Sequence, residues 1–503
     1  MKEDNLIVVT VNKAGFEYDI HSLVKAFYPE CNVKVTIEEI ENSSDPGFPD
    51  LNLVFEKEAV LLSLSGGEGG RASFGAKKVE IEEGMPRTEV KNRLKQLIYA
   101  TLLEYTGKQL PWGTLTGIRP TKIPMNMLEE GVPDEDILAY MRETYFAGEE
   151  KSRLALEIAK REKVLLDTLN YKDGYSLYIG IPFCPTTCLY CSFTSYPIIS
   201  WKKRIGEYLD ALEKEIDFVT ECYGDKRPDT IYIGGGTPTT LEAKELERLL
   251  RKIQGTLDLS NLKEFTVEAG RADSITMEKL EVLKKYGVSR ISVNPQTMKQ
   301  ETLDLIGRRH TVSQVREAFG LAREAGFTNI NMDLILGLPG EEAADVTNTI
   351  AEIEKLGPDS LTVHSLAIKR ASKLSQWIQQ NGMEALRNTD ETMRIAAKGA
   401  GRMKMVPYYL YRQKNMSGNF ENVGYAKEGC FGLYNILIME EVQTIVALGA
   451  GSISKRIYSD GRIERCENVK DVGLYIDKID EMIERKRRFF ASNDQFAILE
   501  SDN

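Results

Sequence analysis

The sequence predicts an α/β protein: a partial (β/α)₆ barrel with an N-terminal α+β region and a C-terminal mixed α/β extension. Two observations support this fold. Between residues 171 and 370, six apolar runs alternate with amphipathic helical segments, as in parallel strands that helices cover. The runs are almost continuously apolar, which is typical of strands buried on both faces. Because these units are fewer than a complete (β/α)₈ barrel contains, the barrel is predicted to be partial.

Residues 1–170 form the first predicted region, in which strands precede helices. Four short strand-like runs come first, and we interpret the glycine-rich stretch at 66–70 as a loop. Apolar residues then recur at three- and four-residue spacings, which predicts helices. The strand candidates are LIVVTV, VKVTIEE, LNLVFE and AVLLSLS; the helix candidates are TEVKNRLKQLIYATLLEYTG, DEDILAYMRETYF and EEKSRLALEIAKREKVLLDTLN, with the irregular LPWGTLTGIRPTKIP after the first of them.

Residues 171–370 carry the six predicted barrel strands, and polar or reactive residues follow most of them. Such residues gather at the carboxyl ends of the strands in barrels of this kind. Cysteines, a GGGTP segment, Glu268, Gln296 and Asp333 occupy those ends here. We therefore expect the functional site there, after the runs SLYIGIP, TIYIGGG, EFTVEAG, RISVNPQ, INMDLILGLP and SLTVHSL.

Residues 371–503 form the third predicted region, with mixed strand and helix patterns. We interpret TIVALGAGSISK as strand-like and GLYIDKIDEMIERKRRFF as a closing helix. The glycines within 449–451 hint at a dinucleotide-binding motif. However, Ser454 occupies the third glycine position and no helix clearly follows, so we do not assign that function.

Composition narrows the class of protein. The 503 residues include 65 Lys and Arg and 76 Asp and Glu, giving a net charge of −11, which argues against nonspecific nucleic-acid binding. No apolar run reaches the ~18 residues of a membrane span, and the N-terminal residues do not resemble a signal peptide. Seven cysteines, an odd number, favour a reducing compartment over a disulfide scaffold. We expect a cytoplasmic protein.

Three of the cysteines crowd into the segment YIGIPFCPTTCLYC, with C-x₃-C-x₂-C spacing: Cys184, Cys188 and Cys191. Cysteine thiolates are the usual ligands of iron–sulfur clusters. Three such ligands leave one iron of a [4Fe–4S] cluster without a protein ligand, and the amino and carboxylate groups of S-adenosylmethionine (SAM) can chelate an iron of this kind. The spacing therefore predicts a cluster that cleaves SAM to start radical chemistry.

Two alternatives fit the cysteines less well. A zinc site would normally need a fourth Cys or His nearby, and His21 and His310 are distant in sequence. Cys188 and Cys191 form a redox-type C-x-x-C pair, but such motifs do not call for a third cysteine four residues earlier.

The segments IPFC, GGGTP and DLILGLPGE resemble those of the radical SAM superfamily, and specifically of oxygen-independent coproporphyrinogen III oxidases (dehydrogenases) and their relatives. Residues 112–122, HSLAIKRAS and GYAKEGCFGLYN are most similar to the HemZ-type branch. The motif match covers about residues 170–455. It implies a radical SAM barrel that uses a [4Fe–4S] cluster and SAM.

The resemblance also implies which residues contact SAM. Tyr190 would lie against the adenine, although it could be a packing aromatic. A salt bridge or helix cap is the alternative for Glu268, Gln296, Arg308 and Asp333, and core packing for Ala367 and Ile453. The full set implied for SAM binding is Tyr178, Tyr190, Gly235, Gly236, Thr237, Glu268, Gln296, Arg308, Asp333, Ala367 and Ile453.

The family resemblance further implies oxidative decarboxylation of coproporphyrinogen III to protoporphyrinogen IX, with an electron donor such as flavodoxin or ferredoxin. Another tetrapyrrole-acting radical SAM enzyme, such as an anaerobic haem-opening methyltransferase, and a haem-binding chaperone remain alternatives. Two departures matter: Gly180 stands where family members often carry His, and CFGLYNILIMEE replaces the HN-x-x-YW element of chaperone-like members. No catalytic acid or base is identified. Candidate contacts for substrate carboxylates are Arg119, Lys122, Lys369, Arg370 and Arg412.

Overall fold

The contacts within the chain divide the computed structural model into two compact units. The first comprises residues 1–160 and 411–421, and the second residues 161–410 and 422–503. The boundaries predicted near residues 170 and 370 stay predictions. Within the described part of the chain, no helix is both long and apolar enough to cross a lipid bilayer. The structure describes residues 5–37, 44–45, 47–66, 74–117, 119–169, 171–369, 372–413 and 416–491.

The first unit contains a five-stranded sheet in the order β2-β1-β3-β4-β5. Strand β1 pairs in parallel with its two neighbours, whereas β3, β4 and β5 form an antiparallel meander. The sequence predicted four of these strands and missed β5, because FGAKKVE carries two lysines. The predicted loop at 66–70 lies outside the described residues after Gly66. The elements are β1 (Leu6–Val11), α1 (Glu17–Phe27), β2 (Asn32–Thr36), β3 (Pro49–Phe55), β4 (Ala59–Gly66), β5 (Phe74–Glu80), α2 (Arg87–Thr106), α3 (Lys122–Glu129), α4 (Asp134–Tyr145) and α5 (Glu149–Asp167), which runs past residue 160.

The core of the first unit forms where α1 and α2 cover one face of the sheet. Ile20 and Leu23 of α1, and Leu94 and Ile98 of α2, are completely buried against strand residues such as Val9. These apolar positions recur at three- and four-residue spacings, so each helix presents one apolar stripe to the sheet.

The second unit contains the remaining elements. They are β6 (Tyr175–Ile181), β7 (Phe183–Cys184), β8 (Tyr196–Pro197), α6 (Ile198–Trp201), α7 (Ile205–Tyr223), β9 (Pro228–Gly235), α8 (Ala243–Thr256), β10 (Glu264–Gly270), α9 (Met277–Lys285), β11 (Arg290–Val293), α10 (Gln300–Leu305), α11 (Val312–Glu324), β12 (Ile330–Leu336), α12 (Ala343–Leu356), β13 (Ser360–Ser365), α13 (Lys373–Asn381), α14 (Asp390–Arg402), β14 (Val406–Tyr411, which ends in the first unit), β15 (Asn422–Ala426), α15 (Leu433–Glu440), β16 (Ile445–Leu448), β17 (Ile453–Ile457), β18 (Ile463–Glu467), α16 (Val472–Asp477) and α17 (Ile479–Ala491).

Six parallel strands form the centre of the second unit, in the order β6-β9-β10-β11-β12-β13. All six were predicted from their apolar runs, and this confirms the α/β fold with a six-stranded partial barrel. Helices connect the strands and begin at clear sequence signals. At the start of α11, for example, the Gln314 backbone N–H donates to the Thr311 hydroxyl at 3.2 Å, while the Gln314 side chain accepts from the Thr311 N–H at 2.8 Å.

The same sheet continues on both sides of the barrel strands. Strands β15 and β14 extend it beyond β13, and β16, β17 and β18 extend it beyond β6. The segment TIVALGAGSISK forms two strands, because Gly449 and Gly451, with φ of +95° and +72°, turn the chain between β16 and β17. The glycines at 449–451 therefore form a loop beside the carboxyl end of β6, with which β16 pairs in parallel.

A buried ion pair holds this loop from behind. Lys486 of α17 and Glu215 of α7 are both fully buried, with 2.6 Å between Nζ and Oε1. The other carboxylate oxygen of Glu215 accepts from the Gly449 N–H at 2.7 Å and from the Tyr475 hydroxyl at 2.6 Å. Asn468 donates both to Glu215 and to the Gly449 carbonyl, each at 2.9 Å. Because every charge in this network is hydrogen-bonded, its burial is tolerated.

A second buried carboxyl group in this unit faces another acid. Glu162 of α5 is fully buried and lies close to Glu440, the last residue of α15. Burial first, and then the charge on Glu440, raise the pKa of Glu162 well above its ordinary value. Above about pH 4.3 the unfolded chain releases the proton of this carboxyl group, whereas the folded protein keeps it. The free energy of unfolding therefore falls as the pH rises from about 4.3 towards the raised pKa of the folded state.

Replacing Glu162 with Gln should remove this loss of stability. At about pH 4 the variant and the wild type should be equally stable, and at pH 7 the variant should be more stable by about 1 kcal/mol or more. Urea unfolding at a series of pH values measures the difference. Glu157→Gln, at an exposed position of the same helix, is the matched control and should follow the wild type. A Glu162→Gln variant with an unchanged pH profile would show that this carboxyl group titrates normally.

Candidate active site at the carboxyl ends of the barrel strands

The cysteine segment forms a loop that leaves β6 and returns to it. Residues 183 and 184 make the short strand β7, which pairs in parallel with β8 at residues 196 and 197. The Tyr196 N–H also donates to the Pro182 carbonyl at 2.8 Å. Cys184 therefore stands at the beginning of a closed loop, and Cys188 and Cys191 lie within it.

The far side of this loop is fastened to the segment between α10 and α11. The Leu189 N–H donates to the Ile306 carbonyl at 2.9 Å, and the Thr186 hydroxyl to the Gly307 carbonyl at 2.9 Å. Arg308, which is 3% exposed, donates through Nη1 to the Tyr190 hydroxyl at 3.0 Å and through Nη2 to the Asn294 carbonyl at 2.8 Å. The structure thus brings Arg308 and Tyr190 together as a pair beside the third cysteine.

The three thiols occupy one partly buried environment. Burial raises the pKa of Cys184 to about 11, with smaller contributions from the charges on Cys191 and Cys188. Burial also raises the pKa of Cys191. Among the described side chains, no three His, Cys, Asp or Glu converge closely enough to hold a single metal ion. In a cuboidal cluster each thiolate binds a different iron, so ligands of a cluster stand farther apart than ligands of one ion.

The GGGTP segment brings the end of β9 against this loop. The Gly236 N–H donates to the Ile181 carbonyl at 2.8 Å, and the Thr237 N–H to the Phe183 carbonyl at 2.7 Å. A Cβ atom at Gly236 would lie 2.5 Å from the Phe183 oxygen, so only glycine fits. The Thr237 hydroxyl lies 3.5 Å from the Cys184 sulfur. The family resemblance implied that Gly236 contacts SAM, but the group that lies closest to this glycine here is the protein's own backbone.

Five of the barrel strands each carry a partly exposed polar side chain within an otherwise buried run. The Tyr232 hydroxyl donates to Glu268 at 2.5 Å, and the Tyr178 and Tyr232 rings stack with centroids 6.2 Å apart. His364 Nε2 lies 3.9 Å from an oxygen of Asp333. We call Tyr178, Tyr232, Glu268, Asp333 and His364 the polar layer; they belong to β6, β9, β10, β12 and β13.

The two carboxyl groups of the polar layer have opposite electrostatic environments. Burial raises the pKa of Glu268 to about 7, partly offset by the Tyr232 hydroxyl and assisted by the charge on Asp333. Burial acts on Asp333 in the same direction, but the nearby His364 and the hydrogen bond from Asn331 outweigh it and lower the pKa of Asp333. At neutral pH one carboxylate is thus firmly ionised, while the other is near its titration point.

Several buried polar atoms near the end of β11 lack a hydrogen-bond partner within the described residues: Ser292 Oγ, Asn294 Oδ1, Gln296 Oε1 and Arg308 Nε. Gln296 is held at a φ of +68°, which is uncommon for a residue other than glycine. Its N–H donates to the Asp333 carbonyl at 2.9 Å, so its backbone is tied to β12. Buried polar groups are normally paired, and a polar ligand at this position would supply the missing partners.

A cleft of about 200 Å³ opens between the cysteine loop and the loop at 449–451. Its walls come from β6, β9, the residues that follow Cys191, and the loop that the Glu215–Lys486 pair supports. The lining residues are Tyr178, Gly180, Pro182, Ser192, Phe193, Thr194, Gly235, Ala450, Gly451, Ser452 and Lys470.

The other predicted site residues are placed as follows. Asp333 lies in the middle of β12 rather than at its end. Ala367 and Lys369 are half-buried after β13, Ile453 is 45% exposed beside the cleft, and Arg370 lies outside the described residues. Arg119, Lys122 and Arg412 belong to the first unit.

Two aromatic residues of this site could not be recognised from the sequence, and the role of a histidine stayed undecided. Tyr232 and Tyr434 were not singled out, and their rings stack with centroids 4.6 Å apart. From the sequence alone, His364 at the end of the run SLTVHSL could equally be a site residue or a packing residue. The available signal was a polar residue at the same depth in successive apolar strands, as in TIYIGGG and SLTVHSL.

Comparison with known proteins gives consistent matches. Residues 178–353 match the model of the Radical SAM superfamily. The chain is 39% identical over 482 residues to the oxygen-independent coproporphyrinogen-III oxidase-like protein HemZ of Bacillus subtilis, covering 93% of this chain and 94% of the relative. The heme chaperone HemW of the same organism is 34% identical over 61% of this chain and 76% of its own. The solved structure of coproporphyrinogen III oxidase (HemN) from Escherichia coli, a radical SAM enzyme, gives a TM-score of 0.49 at 21% identity, covering 64% of this chain and 73% of that chain.

The similarity to the first relative extends over both units, and the superfamily match covers the barrel strands from β6 through β12. Proteins of this superfamily use a [4Fe–4S] cluster and SAM, and these are the cofactors of this chain. The chain therefore belongs to the radical SAM superfamily and, within it, to the family of oxygen-independent coproporphyrinogen-III oxidase-like proteins.

Proposed function

We propose that Cys184, Cys188 and Cys191 hold the [4Fe–4S] cluster. Their shared loop is fastened at both sides, and their mutual effect on the pKa of Cys184 reflects their proximity. Three thiolates leave one iron for the amino and carboxylate groups of SAM. When bound, the cluster and SAM supply a reductive carbon–sulfur cleavage that yields a 5′-deoxyadenosyl radical.

We propose that SAM occupies the cleft and reaches the polar layer. Glu268 and Asp333 offer carboxylate oxygens to its hydroxyl and amino groups, and Gln296 offers an unpartnered oxygen. Arg308 holds the Tyr190 hydroxyl and so positions this ring, in addition to contacting the ligand itself. The proposed contacts are Tyr178, Tyr190, Gly235, Gly236, Thr237, Glu268, Gln296, Arg308, Asp333, Ala367 and Ile453.

The reaction that we propose is the oxygen-independent oxidative decarboxylation of coproporphyrinogen III to protoporphyrinogen IX. The observation that carries it is the similarity to the HemZ relative over 93% of this chain. In this reaction a propionate side chain loses a hydrogen atom from its β-carbon, then carbon dioxide and one electron, and becomes a vinyl group. The rings of Tyr178, Tyr232 and Tyr434 stack on one another, and their aromatic faces would help to exclude water from the reacting carbon.

An electron donor such as flavodoxin or ferredoxin would reduce the cluster, and we propose a cytoplasmic location for the protein. In support, all seven cysteines are free, as expected in a reducing compartment.

Haem binding without turnover is the second candidate function, because the HemW relative is a heme chaperone. The chain lacks the HN-x-x-YW element typical of such chaperones. Residues 430–441 instead read CFGLYNILIMEE, in which Leu433–Glu440 form α15. A further tetrapyrrole-acting radical enzyme, such as a haem-opening methyltransferase, would share the same cofactors.

Parallel anaerobic incubations with SAM, a reductant and either coproporphyrinogen III or haem, followed by mass spectrometry of the tetrapyrrole, test the proposal. Loss of carbon dioxide from the propionates supports it. Tight binding of haem with no change in coproporphyrinogen would favour the chaperone function, and a methylated or ring-opened haem would favour the methyltransferase. Either of these outcomes would refute the decarboxylation.

Changing any one of Cys184, Cys188 and Cys191 to Ala should abolish the cluster. Anaerobically reconstituted wild-type protein should contain about four irons per chain, and each variant less than half of that amount. Iron and sulfide analysis measures this. Cys222→Ala, at a half-buried cysteine on α7, is the matched control and should keep the full content. Full occupancy in a Cys188→Ala variant would show that other residues bind the iron.

Replacing Gly236 with Ala should lower the cluster content and the response to SAM together. The added Cβ would stand 2.5 Å from the Phe183 oxygen and 2.8 Å from its nitrogen, so β7, which contains Cys184, must move. Iron analysis and the change that SAM induces in the electron paramagnetic resonance spectrum of the reduced cluster measure both effects.

Gly255→Ala is the control for this glycine, because a Cβ there meets nothing within 4 Å. It should behave as the wild type does. If Gly236→Ala kept both its iron and its SAM response, the close approach of β9 to the cysteine loop would not be needed for the site.

A further inference from the structure

The first unit buries more positive than negative charge. Among its described residues, the charged side chains that are buried are Lys95, Lys151 and Arg412 against Glu421 alone. Three cations and one carboxylate leave an excess of two positive charges. Because an unpaired buried charge is costly, this excess calls for a compensating anion.

The single buried carboxylate is already occupied on both oxygens. Glu421 Oε2 accepts from the Trp112 indole N–H at 2.7 Å, and Oε1 from Lys151 Nζ at 2.6 Å. Lys151 also lies over the Phe420 ring, 5.3 Å from its centroid. Lys151 and Glu421 therefore neutralise each other, and the charges on Lys95 and Arg412 remain.

Arg412 is 4% exposed and has only neutral partners within hydrogen-bond distance. Its guanidinium donates to the Leu115 carbonyl at 2.5 Å, and to the carbonyl and side-chain oxygens of Asn419 at 3.1 and 2.6 Å. Its Nε is buried without a partner in the described part of the chain. Burial outweighs the attraction of Glu421 and lowers the pKa of Arg412 to about 10.

Lys95 of α2 is also buried with a neutral partner, the residue that follows the Leu115 bound by Arg412. It is 8% exposed, and Nζ donates to the Thr116 hydroxyl at 3.2 Å. Burial lowers the pKa of Lys95 to about 8; the charge on Asp19 opposes this shift, and the charges on Lys91 and Arg412 add to it. No acidic side chain of the described residues lies within 4 Å of either cation. The two cations thus bracket adjacent residues, 115 and 116, of one irregular segment.

A third buried donor lies beside them. Asn419 Nδ2 has no partner among the described residues, and Asn419 holds a φ of +58°. The Asn419 side-chain oxygen accepts from Arg412, so the amide nitrogen is the buried group of this side chain that lacks a partner among the described residues. A non-glycine residue kept in this backbone conformation often marks a functional site.

We propose that Lys95, Arg412 and Asn419 form a binding site in the first unit for a small oxyanion, a carboxylate or a phosphate group. A guanidinium and an ammonium group are the side chains that bind such anions most strongly. The anion would satisfy Arg412 Nε and Asn419 Nδ2 and compensate the excess positive charge. This site is independent of the reaction proposed for the barrel.

Equilibrium dialysis of the full chain against radiolabelled inorganic phosphate, or against radiolabelled tricarballylate, tests the proposal. We expect one ion per chain at this site, and Lys95→Met and Arg412→Gln should each weaken its binding about tenfold or more. Because Lys95 must be protonated, the affinity should fall between pH 7 and pH 9 in the wild type, and this pH dependence should be lost in Lys95→Met. Binding of phosphate alone identifies a phosphate site, and binding of tricarballylate alone a carboxylate site.

Lys91→Gln is the matched control. Lys91 lies one turn away on α2, its side chain is 41% exposed, and it stands 4.0 Å from Asp19. Its loss should change the affinity less than twofold. Lys95→Met should also melt no lower than the wild type, since it replaces an unpaired buried charge with an apolar group; it therefore decides the question even if Arg412→Gln fails to fold. The proposal is overturned if the wild type binds neither anion, or if Lys91→Gln weakens binding as much as Lys95→Met does.

Discussion

The close backbone contact between the ends of β6 and β9 is the constraint on which the site depends. Two hydrogen bonds, from Gly236 to Ile181 and from Thr237 to Phe183, join these ends. They fix the start of the cysteine loop and place the Thr237 hydroxyl beside the Cys184 sulfur. The same pairing continues down the strands and sets Tyr178 opposite Tyr232. One backbone arrangement therefore positions both the thiols and the first two members of the polar layer.

Most of the barrel could be predicted from the sequence, because each strand is buried on both faces and reads as a continuous apolar run. Strand β5 was missed because Lys77 and Lys78 place a charge on each face of the strand, so no apolar alternation marks it. The division of the TIVALGAGSISK segment into β16 and β17 was also missed. That turn depends on Gly449, whose N–H is held by Glu215, a residue more than two hundred positions earlier.

The cysteine motif and the glycine segment could be recognised from local spacing, whereas the remainder of the site depends on register between distant strands. No local sequence pattern shows that the Tyr232 hydroxyl reaches Glu268 or that Asp333 and His364 are neighbours. Arg308 illustrates the same limit. The family resemblance implied that Arg308 contacts SAM, yet its position beside Tyr190 and Asn294 arises only when the segment after α10 packs against the cysteine loop.

The Glu215–Lys486 pair has a consequence for how the molecule is made. Lys486 follows the first cysteine of the motif by about three hundred residues, so a ribosome releases the cysteine loop long before the residue that completes the network behind Gly449. Until α17 docks, the loop at 449–451 lacks its support, and only the cysteine-loop side of the cleft is held in place. A cluster inserted during synthesis would therefore lack the cover that the loop at 449–451 later gives to one side of the cleft. The order of synthesis favours loading the cluster only after the chain has been completed and folded.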